Sequence, residues 1–307
     1  MDISAITIAG LTVYEIVWFF MIYSFLGWVL EVIYHAVSIG KVVNRGFLNG
    51  PVCPIYGFGM IFILMLLNLI FPGGAAKAHG AALFAFGIVI ATGIELLGGW
   101  ALDKIFHARW WDYSDKPFNL NGYICPEFSF YWGIGTVLAV RVLHPFVADT
   151  TVNIWPKQIA WPVAIVLCCA YAADTVVTVM IVNGLNKELA ELDDLRSSMR
   201  KVSDDLSNVL GTTSIKTIQR MEEGRVKAEL AKEDLLDQAE ETRDEVLKQI
   251  QPLLEKKEKI QSEEDALFEK ILKGRVFGPR RLLKAFPDIK VHDHPAALID
   301  DIKKWLE

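Results

Sequence analysis

Five apolar runs dominate the first 184 positions, at about residues 11–36, 52–72, 80–102, 123–143 and 159–183. A helix rises about 1.5 Å per residue and a bilayer core is about 30 Å thick, so about 20 mostly apolar residues make one crossing. Lipid offers backbone groups no partners, which leaves helices or closed barrels as spanning structures. Runs of this length predict helices. Charge is divided to match. Residues 1–184 hold 8 Lys+Arg and 10 Asp+Glu, whereas 185–307 hold 23 and 27. That partition excludes both a single soluble globule and a disordered chain. The net charge of −6 gives no argument for a nucleic-acid partner, and the lipid bilayer is the expected one. The predicted fold is all-α: a polytopic membrane protein with five transmembrane helices over residues 1–184. A cytoplasmic coiled coil or helical hairpin is expected over 185–275, and a tail with a short amphipathic helix over 276–307.

Loop charge predicts orientation. Lys41 and Arg45 lie between spans one and two, and Lys104, Arg109 and Lys116 between spans three and four. The other side offers Lys77, Lys157 and the span-end Arg141. With the charged C-terminal region, the positive-inside rule puts the N-terminus outside and the C-terminus in the cytoplasm of a multi-pass cell-membrane protein. The first apolar run lacks a basic flank and is too long for a signal core, so it reads as a span. Four cysteines without a CxxC read as free thiols in or near the bilayer. The third run is rich in Gly and Ala, which predicts close, central packing.

A shift of 72 residues aligns the chain with itself without a gap. Gly27-Trp28-Val29-Leu30-Glu31-Val32-Ile33-Tyr34-His35-Ala36 faces Gly99-Trp100-Ala101-Leu102-Asp103-Lys104-Ile105-Phe106-His107-Ala108. Leu48-Asn49-Gly50 and Cys53-Pro54 face Leu120-Asn121-Gly122 and Cys125-Pro126. This gives 11 identities in 28 positions, where chance gives about two. The expected architecture is two parallel repeats of two helices, about 11–72 and 80–143, plus a fifth span outside them.

Several polar residues then stand out. Glu31 and His35 are four apart, on one face of a helix, and Asp103 with His107 repeats the spacing. Each histidine either bonds its own acid where water begins, handles a proton or polar substrate, or joins a metal site. The spacing alone is too weak for a metal, so no metal or cofactor is expected. Glu95 and Asp174 fall within apolar runs, where a carboxylate needs a cavity or a partner. Arg45 and Arg109 are the expected cationic partners of Glu31 and Glu95, and Glu15 is expected to snorkel. The first loop, Asn44 to Gly59, has the Asn, Gly and Pro density of a polar segment that re-enters beside a cavity. The second holds Arg109, Trp110, Trp111, Asp112 and Tyr113; its tryptophans read as interface anchors, or as a platform for a headgroup or sugar. Glu31, His35, Asn44, Arg45, Glu95, Asp103, His107, Arg109, Asp112 and Asn121 form the expected substrate cavity.

Beyond Leu185 a charged helical pattern takes over. Leu195, Met199, Val202, Leu206 and Val209 recur at 4-3-4-3 spacing, and Val246, Ile250, Leu253, Ile260, Leu267 and Ile271 follow the same period. A break is expected at Gly211–Ser214, and Pro252 should end or kink the later helix. If the chain folds back there, the stripes bury each other; otherwise a homo-oligomer is needed. The basic and apolar tail around Arg281 is expected either on the inner leaflet or on the coiled coil. His292 and His294 read as exposed, and a short helix is expected at about 295–306.

The chain carries no G-x-x-x-x-G-K-[ST], GxSxG or HExxH signature. Gly27-Trp28 with Glu31, the run Asn44 to Gly59, and the run Arg109 to Gly122 resemble the bacterial family of CmpB-like ABC-transporter type IV permeases. The resemblance covers about residues 15–185, and the tail around Arg281 to Pro287 is similar too. It implies a permease subunit that takes ATP energy from a separate ATPase; it carries over no catalytic residue. A transport component of unknown substrate is the first expectation, and an enzyme the lesser one. The alternatives are a scaffold or sensor working through the coiled coil, and an inner-leaflet enzyme. That enzyme would use His35 or His107 as acid/base and Arg45 as headgroup binder.

Overall fold

The computed structural model describes residues 6–40, 42–71, 73–153, 156–227, 232–272, 278–286, 289–291 and 301–302. The expected tail features, His292, His294 and most of 295–306, lie outside them. A ribbon of β1 (Thr7–Ile8) and β2 (Leu11–Thr12) leads into α1 (Val13–Ile39). Then come α2 (Pro54–Ile70), α3 (Gly80–Phe106), β3 (Ala108–Arg109) and α4 (Pro126–Leu138). A π-turn at Ala139–Leu143 joins α4 to α5 (His144–Asn153). The chain continues with α6 (Lys157–Lys227), α7 (Lys232–Leu272), α8 (Pro279–Ala285) and β4 (Lys290–Val291).

The five apolar runs each fall on a helix. Four helical segments are long and apolar enough to cross a membrane: Val13–Ser38, Gly80–Phe106, Pro126–Thr151 and one that opens α6. The fifth, α2, is apolar but has 17 residues. The chain is therefore a multi-pass helical membrane protein.

Local chemistry sets the ends. Thr12 caps α1: its hydroxyl accepts from the Glu15 amide at 3.2 Å, and the Glu15 carboxylate accepts from the Thr12 amide at 2.8 Å. Glu15 thus closes a capping box. Cys53-Pro54 and Cys125-Pro126 start α2 and α4 in the same way, with proline in the first turn, where it lacks no needed donor. The fourth span outruns its expected end at residue 143. Arg141 turns back to the carbonyls of Ala76 and Ala78, and His144 Nδ1 meets the Tyr23 hydroxyl at 3.0 Å, so both polar groups are satisfied inside a continuing helix.

Packing relies on close approach, since lipid supplies little hydrophobic drive between helices. α3 touches both α2 and α4, as its small residues predict. A Cβ on Gly27 would stand 2.2 Å from the Tyr56 ring, and one on Gly87 2.5 Å from Thr136. Phe19, Leu64, Leu67 and Leu83 fill the core between α1, α2 and α3.

Two compact units divide the chain: Met1–Asn186 with Gly274–Glu307, and Lys187–Lys273. In the second, Lys270–Glu188 at 3.1 Å and Arg196–Glu264 at 2.9 Å run in opposite sequence order, as in an antiparallel helix pair. Leu189, Leu192, Val202, Ile260, Leu267 and Ile271 are buried there. The expected break at Gly211 does not occur; α6 stays helical to Lys227, and the Thr212 hydroxyl bonds back to the Asn208 carbonyl. One glycine costs a helix about 1 kcal/mol, too little by itself to stop a long one. Pro252 does not end α7, which continues on both sides of it.

The tail belongs to the first unit. α8 and β4 pack on its two long loops, and β4 pairs antiparallel with β3, Ala108 against Val291 and Arg109 against Lys290. Its described residues are seated on the loops of that unit.

Candidate functional site

The first loop, residues 40–53, solves its backbone problem with side chains. Asn44 Oδ1 accepts from Trp28 Nε1 at 2.7 Å and from the Gly46 amide at 3.1 Å, and its Nδ2 donates to the Asn49 carbonyl at 2.7 Å. Asp174, on α6, accepts from the Asn49 amide at 3.1 Å, the Gly50 amide at 2.7 Å and Asn49 Nδ2 at 2.9 Å. From the tail, Arg281 donates to the carbonyls of Gly46 at 2.8 Å, Phe47 at 2.9 Å and Asn44 at 3.4 Å. Amides and carbonyls of one segment thus meet opposite charges on two elements. Burial pulls the Arg281 guanidinium down to about 10, against the opposing charge of Asp174.

The second loop, residues 107–125, is held mostly by itself. Arg109 donates to the Asn121 carbonyl at 2.8 Å, and its Nε lies 3.5 Å from Asp103. Asp112 accepts from the amide and hydroxyl of Ser114 and from Lys290 Nζ. Asn119 donates to the carbonyls of Ser114 and Lys116 and accepts from the Gly122 amide at 2.9 Å. Burial works against ionising Asp112, but the bonds from Lys290 and Ser114 outweigh it and hold the carboxyl below its usual value. The same contact raises Lys290.

An aromatic junction joins the loops and the tail. Trp110 meets Phe47 at 5.0 Å and Phe286 at 4.9 Å between ring centroids, both edge-on. Trp110 is 4% exposed, so it is a core residue of this junction rather than an interface anchor. Trp111 donates to the Tyr123 carbonyl at 3.0 Å.

A chain of polar and aromatic groups crosses the bundle between the loops. Tyr56, in the first turn of α2, donates to Glu31 at 2.6 Å. Its ring stands edge-on to Trp132 of α4 at 5.7 Å. Trp132 Nε1 donates to Glu95 Oε2 at 2.9 Å, and the Tyr113 hydroxyl donates to Glu95 Oε1 at 3.0 Å. Glu95 is 5% exposed. Burial, and then the charge of Glu95, push the Tyr113 phenol well above its usual value, so it remains a hydroxyl that can donate or accept.

The ten expected residues form two groups and a bridge. Glu31, His35, Asn44 and Arg45 gather at the first loop, with Arg45 3.6 Å from Glu31 and 3.3 Å from His35 Nδ1. Asp103, Arg109, Asp112 and Asn121 gather at the second, where the Tyr123 hydroxyl donates to Asp103. Glu95 joins them through aromatic residues. The expected pairing of Arg45 with Glu31 is present; Arg109 stands with Asp103 and Asp112, and Glu95 takes neutral donors. His107 is the left-handed cap of α3, with φ 51. Among the described residues no cluster of His, Cys, Asp and Glu would hold a metal ion.

Sequence reasoning missed Tyr56, Tyr113, Trp132, Arg281 and Lys290 as partners. Tyr56 and Tyr113 lie within the runs Asn44 to Gly59 and Arg109 to Gly122, where a phenol offers a polar tip. Nothing local connects Arg281 to a loop 235 positions away. No curated protein and no solved structure matches the chain. A family model does match, over residues 18–179, which takes in the polar bridge and both loops and more than half of the sequence. The chain therefore belongs to the family described as Putative ABC-transporter type IV.

Proposed function

We propose that this protein is the permease component of a transporter and takes its energy from a separate ATPase subunit. The observation that carries the reading is the buried polar chain Glu31–Tyr56–Trp132–Glu95–Tyr113 within apolar helices of the family-matched region. Ionisable groups at such depth are costly and are usually retained for a pathway or a partner. The membrane role fits the family, and the substrate is unassigned.

In this reading the chain crosses five times, with the N-terminus outside and the C-terminus in the cytoplasm. The loop end carries Arg45, Lys104, Arg109 and Lys116, and the tail adds Arg280, Arg281 and Lys284, which supports that orientation. α2, at about 26 Å by its rise per residue, is a short crossing of the kind that local thinning accommodates. The Lys187–Lys273 unit serves as the ATPase docking platform. A scaffold that recruits a partner is the second reading, favoured because the expected cavity residues engage one another.

Purification of the full-length protein in mild detergent, with mass spectrometry of what accompanies it, tests this. A stoichiometric P-loop ATPase, lost when residues 187–273 are replaced by a short linker, is the expected result. Repeated isolation of the chain with lipid alone would remove the ATPase from the reading. A stoichiometric partner without a P-loop would select the scaffold.

A further inference from the structure

Three acids in or at the ends of the helices differ in one respect. Glu31 has Tyr56 and Arg45, and Asp103 has Tyr123 and Arg109. Glu95 has Tyr113 and Trp132 and, among the described residues, no cation at ion-pair distance. An arginine fixes a neighbouring carboxylate in its charged form. Two neutral donors do not, and a lone charge inside apolar surroundings is expensive.

The two donors also differ from each other. Trp132 can only donate, so Glu95 Oε2 must remain an acceptor. Tyr113 can donate or accept, so its bond to Oε1 can run either way. The site therefore accommodates the carboxylate and the carboxylic acid without moving a helix. We infer that Glu95 is a reversible proton-binding site within the span, held by Trp132 and switched through Tyr113. When a proton binds, the new O–H on Oε1 donates to the Tyr113 oxygen, and the tyrosine's own hydrogen rotates out of that bond; release reverses this. No other bond is made or broken.

The groups facing the site are few. Tyr113 comes from the second loop, Trp132 from α4, and Tyr56 from α2 with Glu31 and Arg45 behind it. Along α3, Asp103 lies two turns away with Arg109. Thr92, one turn the other way, buries a hydroxyl oxygen that has no hydrogen-bond partner among the described residues. The inference deepens the transport reading by naming a proton as a coupled or carried ion, and it rests on that reading only for its purpose.

The test is infrared spectroscopy of the full-length protein in lipid nanodiscs while the bulk pH is cycled through neutrality. A carboxylic-acid carbonyl band should appear and vanish reversibly with pH, be lost in Glu95→Gln and persist in Glu31→Gln. If Glu95→Gln does not fold, Trp132→Phe removes the Oε2 bond and should shift the band while leaving its reversibility intact. A band that is constant at every pH makes Glu95 a fixed structural acid and overturns the inference. So does its absence at every pH, or a response to sodium at fixed pH. The spectrum reads protonation whether or not an ATPase copurifies, so failure here is separable from failure of the permease reading.

Discussion

Gly27–Ala36 and Gly99–Ala108 are close copies in sequence, yet their histidines end in opposite places. His35 is 2% exposed inside α1, against Arg45. His107 is exposed and adopts φ 51 as the cap of α3. The acids behave alike by contrast. Glu31 and Asp103 each accept from a tyrosine and lie near an arginine. Those partners do not follow the 72-residue shift, which places Pro51 opposite Tyr123 and Val37 opposite Arg109. The matching carboxylates therefore keep their type of partner but not the partner's position. The histidines part because α1 runs on to Ile39, whereas α3 stops before Ala108–Arg109, which join Lys290–Val291 in a ribbon. Where the helix ends decides where the matching side chain goes.

The same contrast extends to what holds each loop. The first depends on distant charges, Arg281 and Asp174; the second depends mainly on its own side chains. Arg281→Ala should show the largest effect. It leaves carbonyls of Asn44, Gly46 and Phe47 without their donor and should cost about 3 kcal/mol. A fall in thermal midpoint in micelles, with new protease cleavage near Arg45, would register it. An unchanged midpoint would mean that the tail does not hold the loop. Asp174→Ala removes the acceptor for the Asn49 and Gly50 amides and should cost about 2 kcal/mol in the same assay.

The histidines supply a sign test. His35→Gly loses a buried side chain and adds a glycine to a helix interior, so a loss of about 2 kcal/mol is expected. His107→Gly relieves a left-handed backbone that glycine adopts freely, so a gain of about 0.5 kcal/mol is expected. Equal losses at both positions would show that the two copies are equivalent after all.

The helices are legible in the sequence because apolar length and proline at helix starts are local signals: the apolar run 52–72 marks α2 at Pro54–Ile70, and the run 80–102 marks α3 at Gly80–Phe106. The sequence also marked Glu31, Glu95 and Asp174 as groups needing partners. It could not supply those partners, because Trp132 reaches Glu95 across helices and Arg281 reaches Gly46 across the chain. The expected break at Gly211 fails for a related reason. Gly211 signals a cap locally, but α6 continues through it to Lys227.

The smallest expected effect lies at the second loop, where Lys290 meets Asp112. Lys290 is 62% exposed on its side chain, so solvent screens the pair and its coupling should be below about 1 kcal/mol. Its pH dependence has a definite sign. The Asp112 carboxyl is held below its unfolded value near 3.8, so its contribution is present above that value and lost as pH falls through the lower, folded one. Lys290 is raised above 10.5, so its contribution is complete below that value and lost as pH rises through the higher, folded one. The coupling should therefore be flat across neutral pH and fall away only at the two extremes. A double-mutant cycle of Asp112→Asn and Lys290→Met, measured by thermal unfolding at neutral and acidic pH, reads this directly. A coupling above that of Arg281 with the first loop would reverse the comparison and make the second loop the one the tail holds.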